Sequence, residues 1–316
     1  MVVGKKFGFE HYGDVDVFEE KEATFELTDK KNVLIKVERA SVNPIDITTR
    51  KGLLAKGKPL ERFRVLGNEV QGEIIELTDP DSHFSVGDKV IALVPSGGDA
   101  EYLAVAQKNV FKIPSNMSLD VAATFPMVAE TALWTLDSHF YELKEGDVLA
   151  IVGASGSVGS VALQLAQAKN ITIIAVGSKR NETYLKELGA DITVDYRNEE
   201  EIAAHKNSAD YVINASLFNQ GEDVAVALVK ETGTILGLNG VADTSSKPEV
   251  TSLFLQRTKE MTNQAAIPQL MAHYEKKPIQ VKIGHHLPLS LEGIKEAHRL
   301  FEDQKGTGKI ILVKES

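Results

Sequence analysis

The chain has 316 residues, 43% hydrophobic and 25% charged, a composition ordinary for a globular protein of about two domains. Its formal net charge of −10 disfavours nucleic acid and anionic membrane surfaces as partners. It contains no cysteine, which excludes disulfides, thiolate nucleophiles and cysteine-ligated zinc, and fits a reducing cytosol.

The N-terminal segment from Met1 to Lys6 has no apolar signal-peptide region. No apolar run reaches the ~18 residues that span a bilayer. The first part of the chain reads as short strands: Val33–Val37, Val70–Leu77 interrupted by Gly72, Lys89–Val94 and Tyr102–Val105. Asn43-Pro44, Asp79-Pro80, Gly87-Asp88 and Ser96–Asp99 punctuate them, which points to a barrel or sandwich. The pattern then changes. Val148–Val152 is an unbroken apolar run suited to a strand buried on both faces. Val158, Val161, Ala162, Leu165 and Ala166 follow at helical spacing. Ile171–Val176 predicts a second buried strand, and Thr183–Leu188 a helix closed by Gly189. Ile192–Val194, Ala209–Asn214 and Thr234–Leu238 continue the alternation, which argues a doubly wound parallel sheet. A helix near Leu291–Gln304 and a strand at Lys309–Val313 close the chain.

The richest segment is Gly153-Ala154-Ser155-Gly156-Ser157-Val158-Gly159, between a buried strand and an amphipathic helix. A diphosphate needs several backbone N–H donors together, and a helix N-terminus supplies them with a positive dipole end. Glycine allows close approach of the backbone and tight helix–strand packing. A glycine triplet alone is weak, and a purely structural turn is the competing reading; the strand–turn–helix context favours a dinucleotide. An NAD site places a carboxylate at the end of the second strand. Here that strand ends Gly177-Ser178-Lys179-Arg180, with no carboxylate before Glu182. A hydroxyl and two cations suit a 2′-phosphate, hence NADPH; the competing reading is a solvated loop.

A set of segments now shows a family likeness. Ser41–Asp46 with Arg50 and Gly52, Leu66–Glu69, Gly87–Val90, Ala122-Ala123 with Pro126, and Glu130–Trp134 lie in the first half. The glycine turn, Gln164–Ala166, Leu188–Asp191, Asp195–Arg197 and Gly308–Leu312 lie in the second. Together they resemble the zinc-independent quinone oxidoreductase branch of the medium-chain dehydrogenase/reductase superfamily. The resemblance implies an α/β protein: a GroES-like β-barrel substrate domain over residues 1–120, a Rossmann doubly wound parallel-sheet domain over 121–265, and a return to the substrate domain over 266–316. It implies an active site in the cleft between them, a cytoplasmic homodimer, and NADPH-dependent hydride transfer to a quinone or an α,β-unsaturated carbonyl compound. By position, Asn43 and Thr131 fall near the nicotinamide and Ala154 through Val158 along the pyrophosphate. Ser178, Lys179, Arg180 and Tyr196 fall at the 2′-phosphate, and Leu217, Leu238, Asn239 and Gly240 where the sheet edge meets the cofactor.

Zinc-containing relatives carry a histidine where this chain has Asn68, so no metal is expected. The tyrosines that quinone reductases often carry after the Asn-Pro motif are replaced by Ile47-Thr48-Thr49 and Leu53-Leu54. Asn43 is expected to act as a positioning donor, with Thr48 or solvent supplying the proton. Blander readings stand beside these. Asn43-Pro44 suits a simple turn, Tyr196 a surface strand end, and Trp134 the core. Glu69 suits an ion pair as well as a general base, and His285-His286 point to opposite faces of a strand. Two other functions compete: an NADPH-binding sensor, crystallin-like or RNA-binding protein with little turnover, and a methyltransferase, which the cations at Lys179-Arg180 disfavour.

Overall fold

The computed structural model describes residues 1–303 and 308–315. It divides into two compact units, Met1–Met127 with Asn263–Ser316, and Val128–Thr262. The first unit begins with β1 (Val2–Phe9), β2 (Glu19–Phe25), β3 (Val33–Val42), α1 (Pro44–Arg50), β4 (Arg64–Val65) and β5 (Glu69–Leu77). It continues with β6 (Lys89–Leu93), β7 (Tyr102–Val105), β8 (Val110–Lys112) and α2 (Leu119–Ala122). Helix α3 (Phe125–Thr135) leads into the second unit. There follow β9 (Val148–Val152), α4 (Ser157–Ala166), β10 (Thr172–Gly177), α5 (Glu182–Glu187), β11 (Ile192–Asp195) and α6 (Glu199–Ala204). Then come β12 (Ala209–Asn214), α7 (Glu222–Leu228), β13 (Val229–Gly237) and β14 (Thr251–Phe254). The chain re-enters the first unit with α8 (Asn263–Lys276), β15 (Ile283–Pro288), α9 (Leu291–Glu302) and β16 (Lys309–Val313). Gln304, the expected end of α9, lies outside the described residues. No described helix is long and apolar enough to cross a membrane.

In the first unit β3 pairs antiparallel with β5, β7 and β16. Ile310 stands opposite Val42, and Val313 opposite Arg39. This partner from the far end of the chain lengthens β3 beyond the Val37 that local patterning gives. Phe7, Phe9, Val33, Ile35, Val70, Val90, Ile310 and Leu312 share one buried apolar core. Strands β1, β2 and β8 were not evident in the sequence. In β2 four consecutive charged residues run from Glu19 to Glu22 and no residue is fully buried, so its apolar face is thin.

The second unit's described strands form one parallel sheet in the order β11-β10-β9-β12-β13-β14. This is the doubly wound order, with the first strand β9 at its centre. The chain turns outward in opposite directions from β9 and β12, so a crevice opens beyond their C-terminal ends. Ala150, Val152, Ile174, Val176, Val212 and Ile235 are buried, as the unbroken apolar runs predict. After α5, Gly189 takes a φ of +96° and its N–H donates to Lys186 O, closing the helix. Gly87 and Gly146 also have positive φ and lead into β6 and β9.

Candidate cofactor and active site

The glycine turn leaves β9 at the switch point. Gly153 has φ +77°, and a Cβ there would stand 2.9 Å from Ser216 N. The Gly156 N–H donates to Gly153 O at 3.0 Å. A Cβ on Gly159 would meet Gly153 O at 2.4 Å, so only glycine lets α4 lie this close. Ala154 is buried and its N–H donates to Val176 O at 2.9 Å, so that amide belongs to the sheet. The donors offered outward are the first amides of α4, from Ser157 through Gly159, which have no carbonyl one turn back within the helix. They carry the helix's positive end.

The end of β10 supplies the second polar group. Ser178 is half-buried, and Lys179 and Arg180 are exposed. Lys179 Nζ pairs with Glu182 at 2.6 Å, and Lys186 joins the same carboxylate at 2.6 Å. These hydrogen bonds and charges pull Glu182 down to about 2. Arg180 makes no hydrogen bond or ion pair among the described residues, which leaves its guanidinium available. Tyr196 is 43% exposed, and its N–H donates to Gly177 O at 3.2 Å, beside Ser178. Arg197 lies 5.1 Å from the centre of its ring. Asn181, which sequence reasoning passed over, links the two polar groups: Nδ2 donates to Ser155 Oγ at 2.9 Å and to Ser178 Oγ at 3.2 Å.

Across the switch point, the loops after β12 and β13 are tied together. Asn239 Nδ2 donates to Ser216 O at 2.8 Å, and Leu238 N to Asn214 O at 3.0 Å. Leu217, Leu238, Asn239 and Gly240 therefore follow the C-terminal ends of β12 and β13. Asn214 Nδ2 donates to Asn219 Oδ1 at 2.8 Å, and Asn214 Oδ1 accepts from Ser216 Oγ at 2.6 Å. Within this network Phe218 holds a φ of +53° with its ring 65% exposed. That conformation costs about 1–2 kcal/mol in a non-glycine residue. Thr131 sits half-buried on α3.

The first unit contributes a buried polar cluster. Asn43 precedes α1, and its N–H donates to Asp46 Oδ2 at 2.8 Å. Its side chain is 4% exposed. Lys309 Nζ donates to Asn43 Oδ1 at 2.6 Å and to Glu69 Oε1 at 3.0 Å. Asn43 Nδ2 donates to Glu69 Oε1 at 3.1 Å and to Met127 Sδ at 3.4 Å. Ser41 Oγ donates to Glu69 as well. Glu69 is thus one half of a fully buried ion pair. Burial pushes Asp46 up to about 6, against the hydrogen bonds it accepts from Asn43 and Gly67. Burial and then Asp46 push the neighbouring Asp99 up as well. The Thr48 hydroxyl donates to Pro44 O at 2.9 Å. Trp134 is core, with Arg257 stacked 4.0 Å from its centre. His285 and His286 alternate in exposure along β15, and His286 meets Asp120 at 2.9 Å.

Comparison with known proteins decides the family. Residues 29–115 match the alcohol dehydrogenase GroES-like domain, and residues 188–312 the zinc-binding dehydrogenase family. The chain is 30% identical over 325 residues to the 2-methylene-furan-3-one reductase of Solanum lycopersicum, covering 98% of this chain and 78% of that protein. The chain belongs to the quinone oxidoreductase branch of the medium-chain dehydrogenase/reductase superfamily. It is an oxidoreductase. The structure of the quinone oxidoreductase from Coxiella burnetii superposes with a TM-score of 0.83 at 28% identity, covering 99% of this chain and 100% of that one. The Escherichia coli quinone oxidoreductase complexed with NADPH has a TM-score of 0.82 at 19% identity, covering 98% and 99%, and shares the fold.

The zinc in the second family's description finds no ligand set at Asn68 and Glu69. The chain has no cysteine. Asn68 gives its amide to Pro95 O at 2.8 Å and Val94 O at 3.3 Å, and Glu69 is paired with Lys309. Among the described residues no group of three or more His, Asp or Glu side chains could hold a metal ion. The donor set does not fit zinc. Within the second unit, Asn181 links Ser155 to Ser178, and the loop that carries Leu217 is tied to Asn239. Asn43 and Thr48 lie in the first unit. Sequence reasoning missed Asn181, Lys309 as a partner of Asn43, and Phe218. The first needed a serine 26 positions back, and the second a partner 266 positions away.

Proposed function

We propose that the protein is a zinc-independent, NADPH-dependent reductase of quinones or α,β-unsaturated carbonyl compounds. The observation that carries this reading is the glycine turn at the switch point of a doubly wound sheet, with Ser178 and Arg180 just beyond the next strand and Arg180 unpaired among the described residues. The named relatives support the acceptor class. The E. coli structure with NADPH supports the cofactor.

When bound, the reduced nicotinamide supplies a hydride. The amides of Ser157 through Gly159 hold the diphosphate, with the Ser155 hydroxyl beside them. Ser178 and Arg180 hold the 2′-phosphate, with Lys179 and Tyr196 flanking. Thr131, Leu217 and Leu238–Gly240 are assigned to the nicotinamide half. Asn43 is assigned to the acceptor, as a donor that meets negative charge growing on its oxygen once Met127 Sδ gives up the Nδ2 hydrogen it now receives. The Lys309 ammonium holds Asn43 Oδ1, which orients the amide and strengthens Nδ2 as a donor. The proton is assigned to solvent or to Thr48, whose hydroxyl must turn away from Pro44 O to deliver it.

The reading is tested by turnover. Purified protein is mixed with NADPH and a panel of quinones, enals and enones, and loss of nicotinamide absorbance is followed. Consumption with at least one acceptor is expected. Tight cofactor binding with no consumption by any acceptor contradicts the reductase and favours a sensor or structural role.

A further inference from the structure

Asn181 lies between the two phosphate-binding groups of the second unit, in the turn from β10 to α5. Its backbone N–H donates to Ser178 O at 2.8 Å, which sets where its side chain starts. Nδ2 then reaches Ser155 Oγ at 2.9 Å and Ser178 Oγ at 3.2 Å. An amide nitrogen carries two hydrogens, so each serine oxygen receives one. A hydroxyl that accepts in this way keeps its own hydrogen to donate elsewhere. A carboxylate at 181 would do the opposite: it only accepts, so both hydroxyl hydrogens would turn toward it.

We infer that Asn181 is a positioning residue that sets Ser155 and Ser178 as simultaneous donors, Ser155 to the diphosphate and Ser178 to the ribose 2′-phosphate. It thereby favours the phosphorylated dinucleotide, and the inference rests on the dinucleotide reading above. The surrounding charge gives the device its use. Ser178 shares a small cleft with Glu182, Asp195 and Glu201. Lys179 is taken up by Glu182. A 2′-phosphate entering there meets carboxylates, so its recognition falls on Arg180 and on a serine hydrogen aimed outward.

The experiment measures dissociation constants of NADPH, NADH, 2′,5′-ADP and 5′-ADP by calorimetry for the intact wild-type protein, Asn181→Asp and Asn181→Ala. Hydrogen bonds to charged groups convert to about tenfold or more in affinity. Asn181→Asp is expected to lower the NADPH:NADH affinity ratio by at least about tenfold, and the 2′,5′-ADP:5′-ADP ratio in parallel. Asn181→Ala frees both hydroxyls to rotate and lowers the ratios less. It gives the same readout if Asn181→Asp does not fold. A merely structural role would weaken all four ligands equally, and that result overturns the inference. So does an unchanged ratio in variants that bind NADPH, which leaves the dinucleotide reading standing. Wild-type protein that binds neither NADPH nor 2′,5′-ADP overturns the reading itself.

Discussion

Two adjacent cations at the end of β10 have different work. Lys179 is held by Glu182 at 2.6 Å, whereas Arg180 pairs with no described residue. A planar guanidinium also matches phosphate geometry better than an ammonium. Arg180→Ala is therefore expected to weaken NADPH about tenfold or more while leaving NADH unchanged. Lys179→Ala should cost less, and equal losses in a paired titration would refute the distinction. A second residue-scale prediction concerns His298. It is fully buried against Phe18, and burial, then the charge of Arg50, pulls it from 6.5 down to about 3. Above pH 6.5 it is neutral in folded and unfolded chains alike. As pH falls from 6.5 toward 3, only the unfolded chain takes the proton, so stability is lost at about 1.4 kcal/mol per pH unit. Asp46 works in the opposite sense, favouring the folded state at lower pH, and is present in both proteins compared. Denaturant titrations across that range should show a shallower acid decline for His298→Gln than for wild type. Identical slopes would remove His298 from the acid response.

At the scale of elements, the helix start and the strand that feeds it stand or fall together. Gly159→Ala puts a methyl against Gly153 O and Ala154 Cα, backbone atoms that cannot swing aside. It should lower the melting temperature and abolish nucleotide binding. Gly146→Ala meets nothing within 4 Å and faces only its φ of +86°. It should cost about 1 kcal/mol and leave binding intact. The same comparison explains what was legible in the sequence. β9, α4, β10 and β12 were readable because buried parallel strands are short apolar runs and α4 repeats its apolar face. β14 and β15 were not, because Thr251–Phe254 and Ile283–Pro288 are short and only partly buried. The glycine turn was legible because its chemistry is local. Asn181 was not, since one of its serines lies 26 positions back.

At the scale of the molecule, the last strand completes the first unit and delivers a charge to it. β16 pairs with β3, and its first residue, Lys309, is 4% exposed against a Glu69 that is fully buried. No local pattern could pair residues 43, 69 and 309. Removing one partner strands a buried charge, so Lys309→Met should cost about 3–5 kcal/mol by denaturant unfolding. A change below 1 kcal/mol, taken here as about the worth of an exposed pair, would mean the pair is not buried in solution. In the second unit β14 pairs only with β13 among the described residues, and Phe254 on it is 48% exposed. If a second copy covers that edge in the homodimer that the family resemblance implies, Phe254→Asp should shift the sedimenting species from dimer to monomer. The most direct measurement of the central claim is calorimetric titration of the wild-type protein with NADPH and with NADH. Binding of NADPH at least about tenfold tighter than NADH is predicted from charged contacts to the 2′-phosphate. Equal affinities, or no heat with either nucleotide, would contradict it.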